Sequence, residues 1–280
     1  MGAGPGRLHG AQVGIVGPAC GPAVTGRVTI DGIGAVPDTP AMRERGDESD
    51  GPASDRQRGL GRGRTGDAPE DGRSYWERHA RAYGRSLAIL GKPLPRVSAL
   101  VREAVNGAGE VLEVAAGTGV FTIEMAPDVR QLVATDYSEA MIELLLARVT
   151  EAGLSNVVCV RADIYSLPFE PARFDAVVAG NVLHLVQDLP GALRALRRVL
   201  RPGGRLVVPT FCHDETGLSS VISRVLALTG FPGRRRFTSR SLRAELEKAG
   251  LRIDRQETVA GLIPMSHVDG VFSDAAAHVL

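Results

Sequence analysis

The segment EVLEVAAGTGVFTIEM, residues 110–125, contains the pattern from which the fold can be inferred. An apolar run is followed by a glycine turn at Gly117 and Gly119 and then by the start of a helical pattern. Glycines let the backbone come close to a ligand, and the helix that follows offers free N–H groups. The segment therefore predicts a strand, a turn and a helix that together hold a nucleotide or another anionic cofactor.

The alternation of short apolar strands and helices continues along the chain. Four further strands are predicted within residues 130–211, with helical spacing between them. Ser138 is placed to cap the helix SEAMIELLLARVTEAG, and Pro202 with two glycines is expected to end the helix LPGALRALRRVLRPGG. This alternation favours a parallel sheet covered on both faces. The closing runs LRIDRQETVAG and LIPMSHV, with a break near Gly261 and Leu262, predict an antiparallel pair at the edge.

The N-terminal part of the chain differs in composition from the rest. Residues 1–72 contain 17 of the 34 glycines, 7 of the 17 prolines and no aromatic residue. Such a segment buries too little apolar area to offset the entropy lost on ordering, so we expect a disordered tail. Its arginines either contact an acidic partner or remain solvated. The expected division is a tail over 1–72, an α/β domain over 73–270 and a short C-terminal tail over 271–280.

Composition limits the classes of function that are open to this chain. The net charge is +1, so no general attraction to nucleic acid is expected. Cys20, Cys159 and Cys212 lie far apart and lack a histidine at metal-ligand spacing, which favours buried thiols over a metal site. No apolar run reaches the roughly 20 residues that are needed to cross a bilayer. We expect a soluble, cytoplasmic protein that is a monomer or a homodimer.

The residues around the glycine turn distinguish between two kinds of cofactor. A dinucleotide fingerprint, G-x-G-x-x-G, places a third glycine at position 122, where this chain has Thr122. Glu113 lies inside the strand before Gly117, where its charge repels a pyrophosphate and suits a ligand that bears a positive charge. Both features argue against NAD and against an NAD(P)-dependent reductase.

Four segments, in order along the chain, carry a resemblance to a known family. VLEVAAGTGVFT is similar to motif I of the class I S-adenosylmethionine-dependent methyltransferases, with its acid-x-x-x-Gly-x-Gly core. VATDYSEAMIELLLAR resembles that family's second strand, VRADIYSLPFEPARFDAVVAGNVLHLVQD its third and fourth, and ALRRVLRPGGRLVVP its late turn. The resemblance covers about residues 75–268 and is nearest to the small-molecule branch with the ubiquinone and menaquinone methylases. It implies a Rossmann-like α/β fold with a seven-stranded mixed sheet, and S-adenosylmethionine (SAM) as the cofactor.

The resemblance also implies which residues hold SAM. Asp136 would accept from the ribose hydroxyls and Asp163 from the adenine amino group, while the backbone of Ile164 would meet the ring edge. Glu113 would support the positively charged end of the cofactor. Asn181 would either hold the amino-acid moiety or cap the backbone. The other implied cofactor-binding residues are Ala115, Gly117, Thr118, Gly119, Tyr137, Met141 and, from an N-terminal helix, Tyr83.

Residues that act in the methyl-transfer step are harder to identify from a sequence than those that bind the cofactor. The reason is that positioning of the two reactants supplies much of the acceleration of an in-line displacement. His184 is the candidate base, with packing at the start of a helix as the alternative. Arg234, Arg235 and Arg236 either grip a phosphate or carboxylate of the substrate or lie in solvent. The predicted function is methyl transfer from SAM to a small-molecule or lipid-like acceptor, with a SAM-binding regulatory module without turnover as the alternative.

Overall fold

The computed structural model describes residues 75, 76, 79, 92–228 and 233–273. The N-terminal tail, Cys20, Tyr83 and most of the first predicted helix lie outside the described residues, as does most of 271–280. Of that first helix, Tyr75, Trp76 and His79 are described, and all three are helical.

Seven strands form one mixed sheet. They are β1 (Glu110–Val114), β2 (Gln131–Asp136), β3 (Val157–Arg161), β4 (Phe174–Ala179), β5 (Leu200–Phe211), β6 (Leu251–Val259) and β7 (Met265–Phe272). Their order across the sheet is β3-β2-β1-β4-β5-β7-β6. The first five strands pair in parallel, whereas β7 runs antiparallel to both β5 and β6. The predicted fold class is confirmed, including the antiparallel edge, and β7 continues past residue 270.

Helices cover both faces of this sheet. They are α1 (Leu94–Val105), α2 (Val120–Met125), α3 (Glu139–Glu151), α4 (Leu189–Val199), α5 (Gly217–Leu228) and α6 (Ser239–Lys248). The buried apolar side chains form two clusters, one containing α4 and α6 and the other containing α1, α2 and α3. Because successive strand residues point to opposite faces, Leu112 lies in the first cluster and its neighbour Val111 in the second. Within the described residues, no helix is long and apolar enough to cross a membrane.

The ends of two helices test the predicted boundaries. Ser138 caps α3, as predicted, by accepting a hydrogen bond from the backbone N–H of Met141 at 3.3 Å. The predicted end of α4 is wrong, because the helix ends at Val199 and Leu200 already pairs with β4. A proline disfavours helical geometry at the residue before it, so the chain leaves the helix before Pro202, which lies in β5.

The strand order places a crevice at the carboxyl ends of the parallel strands. β1 pairs with β2 on one side and with β4 on the other, while β3 lies beyond β2. The loops that follow β1 and β4 therefore leave in opposite directions, and a ligand crevice opens between them. The glycine turn after β1 lies in this crevice.

Candidate functional site

The turn after β1 has a backbone conformation that most residues avoid. Ala115, Gly117 and Gly119 have positive φ angles of 51°, 57° and 83°. A Cβ atom at Gly119 would lie 2.5 Å from the Leu145 side chain, so this position requires glycine for space as well as for conformation. Ala115 and Gly117 line the pocket that opens above the turn.

Glu113, the acid inside β1, is almost completely buried beside α2. Its carboxylate accepts a 2.5 Å hydrogen bond from the hydroxyl of Thr122, the residue that replaces the third glycine of a dinucleotide turn. Burial raises the pKa of Glu113 to about 8, and the Asp136 carboxylate adds to this rise, while the Thr122 hydrogen bond lowers the pKa. The carboxyl is therefore largely protonated at neutral pH, and a cation nearby would favour its ionised form.

Asp136 ends β2 and ties the glycine turn to the next helix. One carboxylate oxygen accepts from the backbone N–H of Gly117 and the other from that of Ser138, both at 2.9 Å. The side chain lines the pocket although only 6% of the residue is exposed. A carboxylate oxygen can accept more than one hydrogen bond, so the chemistry of the Asp136 side chain suits ligand hydroxyls.

A pocket of about 350 Å³ lies at the carboxyl ends of β1 to β4. Its walls come from the glycine turn, the end of β2, the loops after β3 and β4, and three residues from elsewhere in the chain, which are Trp76, Arg234 and, from α3, Met141. Eight of the residues that the sequence suggested for cofactor binding line it, namely Ala115, Gly117, Asp136, Tyr137, Met141, Asp163, Ile164 and Asn181. The structure thus brings together residues that are far apart in sequence.

Of the remaining predicted cofactor residues, Tyr83 lies outside the described residues, and Glu113, Thr118 and Gly119 lie near the pocket without being among its lining residues. Thr118 and Gly119 belong to the turn, and the Thr118 carbonyl accepts a 2.7 Å hydrogen bond from the Arg148 guanidinium. Glu113 lines a second cavity of about 30 Å³, which shares Ala115, Gly117, Gly180 and Asn181 with the main pocket. Glu113 therefore lies beside the turn residues that the two cavities share.

The two polar side chains after β3 and β4 make local hydrogen bonds. Asp163 is exposed and accepts from the backbone N–H of Tyr165 at 2.9 Å. Asn181 has a φ of 52°, and its side-chain oxygen accepts from the backbone N–H of Phe211 at 3.1 Å. This hydrogen bond joins the end of β4 to the end of β5, so Asn181 caps the backbone and also lines the pocket.

Several pocket residues were missed by the sequence reasoning. They include Tyr165, Leu185, Val186, Gln187 and Trp76. The Tyr165 hydroxyl accepts from the backbone N–H of Asp188 at 3.0 Å, which joins the loop after β3 to the start of α4. The signal that could have identified all but Trp76 is their position in the loops that follow β3 and β4, whose carboxyl ends meet at one edge of the sheet.

His184, the candidate base, is buried and is not among the described residues that line the pocket. Burial, and then the charge of His213, whose ring centre is 5.3 Å away, lower the pKa of His184 to about 3. The ring is therefore neutral at physiological pH. The backbone carbonyl of His184 accepts from the N–H groups of both Arg234 and Arg235 at 3.0 Å. Its role as a base remains a prediction.

These features define the class of the protein. A parallel sheet with a pocket at its strand ends, an acid within β1 and a second acid at the end of β2 are typical of α/β proteins that bind a nucleoside-containing cofactor. Among the described residues, no cluster of His, Cys, Asp and Glu is arranged to hold a metal ion.

Sequence comparisons identify the family. The methyltransferase domain family matches residues 112–208. A demethylmenaquinone methyltransferase of Mycolicibacterium gilvum is 35% identical over 168 residues, which cover 59% of this chain and 70% of that protein. That of Clavibacter sepedonicus is 40% identical over 134 residues, which cover 46% of this chain and 54% of that protein. The chain belongs to the class I SAM-dependent methyltransferases, and SAM is its methyl donor.

Solved structures agree on the fold. A putative methyltransferase of Bacillus halodurans has a TM-score of 0.53 and 25% identity, over 58% of this chain and 71% of that one. The 1,6-didemethyltoxoflavin-N1-methyltransferase of Burkholderia thailandensis, solved with S-adenosylhomocysteine (SAH), has a TM-score of 0.58 and 20% identity, over 72% of this chain and 87% of that one. The family assignment makes this chain a SAM-dependent methyltransferase and not an NAD(P)-dependent reductase.

Proposed function

We propose that the chain transfers the methyl group of SAM to a ring carbon of a quinol-type aromatic acceptor. The observation that carries this proposal is the mixed lining of the 350 Å³ pocket. Asp136 and Asp163 suit a nucleoside, whereas Trp76, Tyr165 and Val186 offer the apolar surface that an aromatic ring requires. Relatives named demethylmenaquinone methyltransferase and ubiquinone/menaquinone biosynthesis C-methyltransferase support the same acceptor class.

The residues around the turn suit SAM in their chemistry. Asp136 would accept from the ribose hydroxyls, because its two oxygens are already oriented by the N–H groups of Gly117 and Ser138. Asp163 and Ile164 follow β3 and would meet the adenine. The other residues proposed to hold SAM are Ala115, Thr118, Gly119, Tyr137, Met141 and Asn181.

Glu113 is proposed to respond to the charge of the cofactor. When bound, SAM supplies a methyl group that is attached to a positively charged sulfur. The carbon of this methyl group is the electrophile of the reaction. A positive charge near the Glu113 carboxyl would favour its ionised form and reverse part of the pKa rise that burial causes. The protein's own contribution to the reaction is to hold both reactants in one pocket and to exclude water, with Trp76 and Val186 as two of its walls.

We also propose the bounds of the methyltransferase domain and the compartment in which the protein acts. The methyltransferase domain is proposed to begin near residue 73 and to include the whole of β7. Cys159 and Cys212 are free and buried, and burial raises the pKa of both thiols to about 12. Thiols of this kind are unreactive and suit the reducing conditions of the cytoplasm.

The proposed function can be tested with two matched acceptors. A short-chain demethylmenaquinol should be converted in the presence of SAM to a product with a new methyl group on a ring carbon, identified by NMR, with equal formation of SAH. The corresponding menaquinol, in which that carbon already carries a methyl group, should give neither. Methylation at oxygen, or SAH formation that does not distinguish the two quinols, would contradict the proposed acceptor.

A further inference from the structure

Three consecutive arginines between α5 and α6 have different surroundings. Arg234 lines the pocket. The Arg235 guanidinium donates to the backbone carbonyl of Val186 and, at 2.9 Å, to that of Gln187. Arg236 is exposed and is not among the described lining residues. Arg234 is exposed as well, so what separates it from Arg236 is its place in the pocket lining.

The backbone of this arginine segment is fixed against the loop after β4. The N–H groups of Arg234 and Arg235 both donate to the carbonyl of His184 at 3.0 Å. Together with the Arg235 side chain, these bonds hold the segment to residues 184–187, of which 185–187 line the pocket. The Arg234 side chain therefore starts from a fixed position at the pocket, and Arg235 acts as a positioning residue.

Side chains of both charge signs line the pocket. Arg234 is the one cationic side chain among the described residues that line it, beside the carboxylates of Asp136 and Asp163. Many arginines in the described part of the chain are ion-paired with a carboxylate, as in the pairs Arg173–Glu110 and Arg205–Asp269, but none of these pairs includes Arg234. An arginine with this placement can bind an anion that enters the pocket.

We propose that Arg234 binds an anionic oxygen of the methyl acceptor, either a ring carboxylate or an ionised ring hydroxyl, and thereby selects anionic over neutral acceptors. This proposal rests on the proposed function, which makes the pocket the place of methyl transfer. The guanidinium can donate two parallel hydrogen bonds to a carboxylate or one to a phenolate oxygen, and its charge repels the positively charged part of SAM. Arg234 would therefore contact the acceptor and not the sulfonium of the cofactor.

The test measures binding and not turnover, with two pairs of probes and two variants. The full-length protein is saturated with SAH and titrated with 2-naphthoate against 2-naphthamide, and with 4-nitrophenolate against 4-nitroanisole. The wild-type protein should bind the anion of at least one pair about tenfold more tightly than its neutral partner. Arg234→Gln should remove this preference, whereas Arg236→Gln, which changes the neighbouring cation, should keep it. The pair that responds identifies the anionic group as a carboxylate or a ring oxygen.

Four outcomes would overturn the assignment. The first is equal affinity of the wild-type protein for the anionic and neutral probes, and the second is an equal loss of preference in both variants. The third is a preference that persists in Arg234→Gln. The fourth is weaker SAH binding in Arg234→Gln, which would place the cofactor's carboxylate at this residue. Each leaves the proposed function standing if wild-type protein binds SAH. Failure of the wild-type protein to bind SAH would instead remove the proposed cofactor site and, with it, this assignment.

Discussion

The Thr122 hydroxyl donates a 2.5 Å hydrogen bond to the Glu113 carboxylate, and both side chains are buried between β1 and α2. Thr122 takes the place of the third glycine of a dinucleotide-binding turn, and Glu113 is the acid that such a turn lacks. The two departures from the dinucleotide pattern are thus partners in one contact. The hydroxyl opposes, without cancelling, the effect of burial on the pKa of the acid.

Glu113 should make the stability of the protein depend on pH in a defined range. Its pKa is about 8 in the folded protein and 4.5 ordinarily, so between these values the folded state binds more protons than the unfolded state. The free energy of unfolding should therefore fall as pH rises from 4.5 towards 8, with a contribution of up to about 1.4 kcal/mol per pH unit. Urea unfolding at pH 5, 6, 7 and 8 measures this slope.

Two variants isolate the contribution of Glu113. Glu113→Gln cannot ionise and should flatten this part of the profile. Glu124→Gln changes an exposed acid on α2, the helix that carries Thr122, and should leave the profile unchanged. A Glu113→Gln profile with the wild-type slope would show that other groups cause the dependence.

The sequence predicted the features that depend on local order along the chain. The strand, turn and helix around Gly117 follow from apolar periodicity and from glycine, and Asp136 follows from its place at the end of an apolar run. The partner of Asn181, which is Phe211, could not be inferred, because their hydrogen bond joins two strands across an intervening helix. The placement of Arg234 likewise depends on a bond to the distant carbonyl of His184.

Asp136 should matter for both the fold and the cofactor. In the wild-type protein the two Asp136 oxygens accept from the backbone N–H groups of Gly117 and Ser138. The side-chain amide in Asp136→Asn has one oxygen that can still accept, but its NH₂ group faces the other N–H group. We expect the free energy of unfolding to fall by about 1–3 kcal/mol and SAH binding to weaken. In Asp163→Asn the exposed side chain can still accept from Tyr165, so stability should stay within about 0.5 kcal/mol of wild type. Urea unfolding and calorimetric titration with SAH measure the two effects. An Asp136→Asn protein that equals wild type in both stability and SAH affinity would contradict the roles proposed for Asp136.

Two alanines with positive φ form a matched pair for the turn. Ala115 has a φ of 51° and lines the pocket, whereas Ala172 has a φ of 54° and does not. Glycine adopts the left-handed conformation without the strain that alanine bears, so Ala115→Gly and Ala172→Gly should each stabilise the folded protein. Because glycine also has greater freedom in the unfolded chain, the net gain should be up to about 1 kcal/mol. Only Ala115→Gly should change the affinity for SAH. A loss of stability in Ala115→Gly would show that its methyl group contributes more through packing than the conformation costs.

His184 should act on stability far more than on the rate of methyl transfer. Its pKa of about 3 lies below the ordinary 6.5, so the unfolded state binds more protons as pH falls below 6.5, and stability is lost from there towards pH 3. His184→Gln should remove this loss and lower the free energy of unfolding at pH 7 by about 1–3 kcal/mol through disturbed packing.

The rate of methyl transfer in a His184→Gln variant distinguishes a packing role of His184 from a catalytic one. A general base typically contributes about 10²–10⁴-fold, so a drop in kcat of that size, in a His184→Gln protein that is folded and still binds SAH, would establish the base. Because the side chain is not among the described residues lining the pocket, we expect a change well below a hundredfold. His213→Gln is the matched control, since His213 is also buried, has a pKa lowered mainly by burial and bonds to Ser223. Similar, small effects on kcat in both variants, with stability reduced in both, would assign the two histidines to packing.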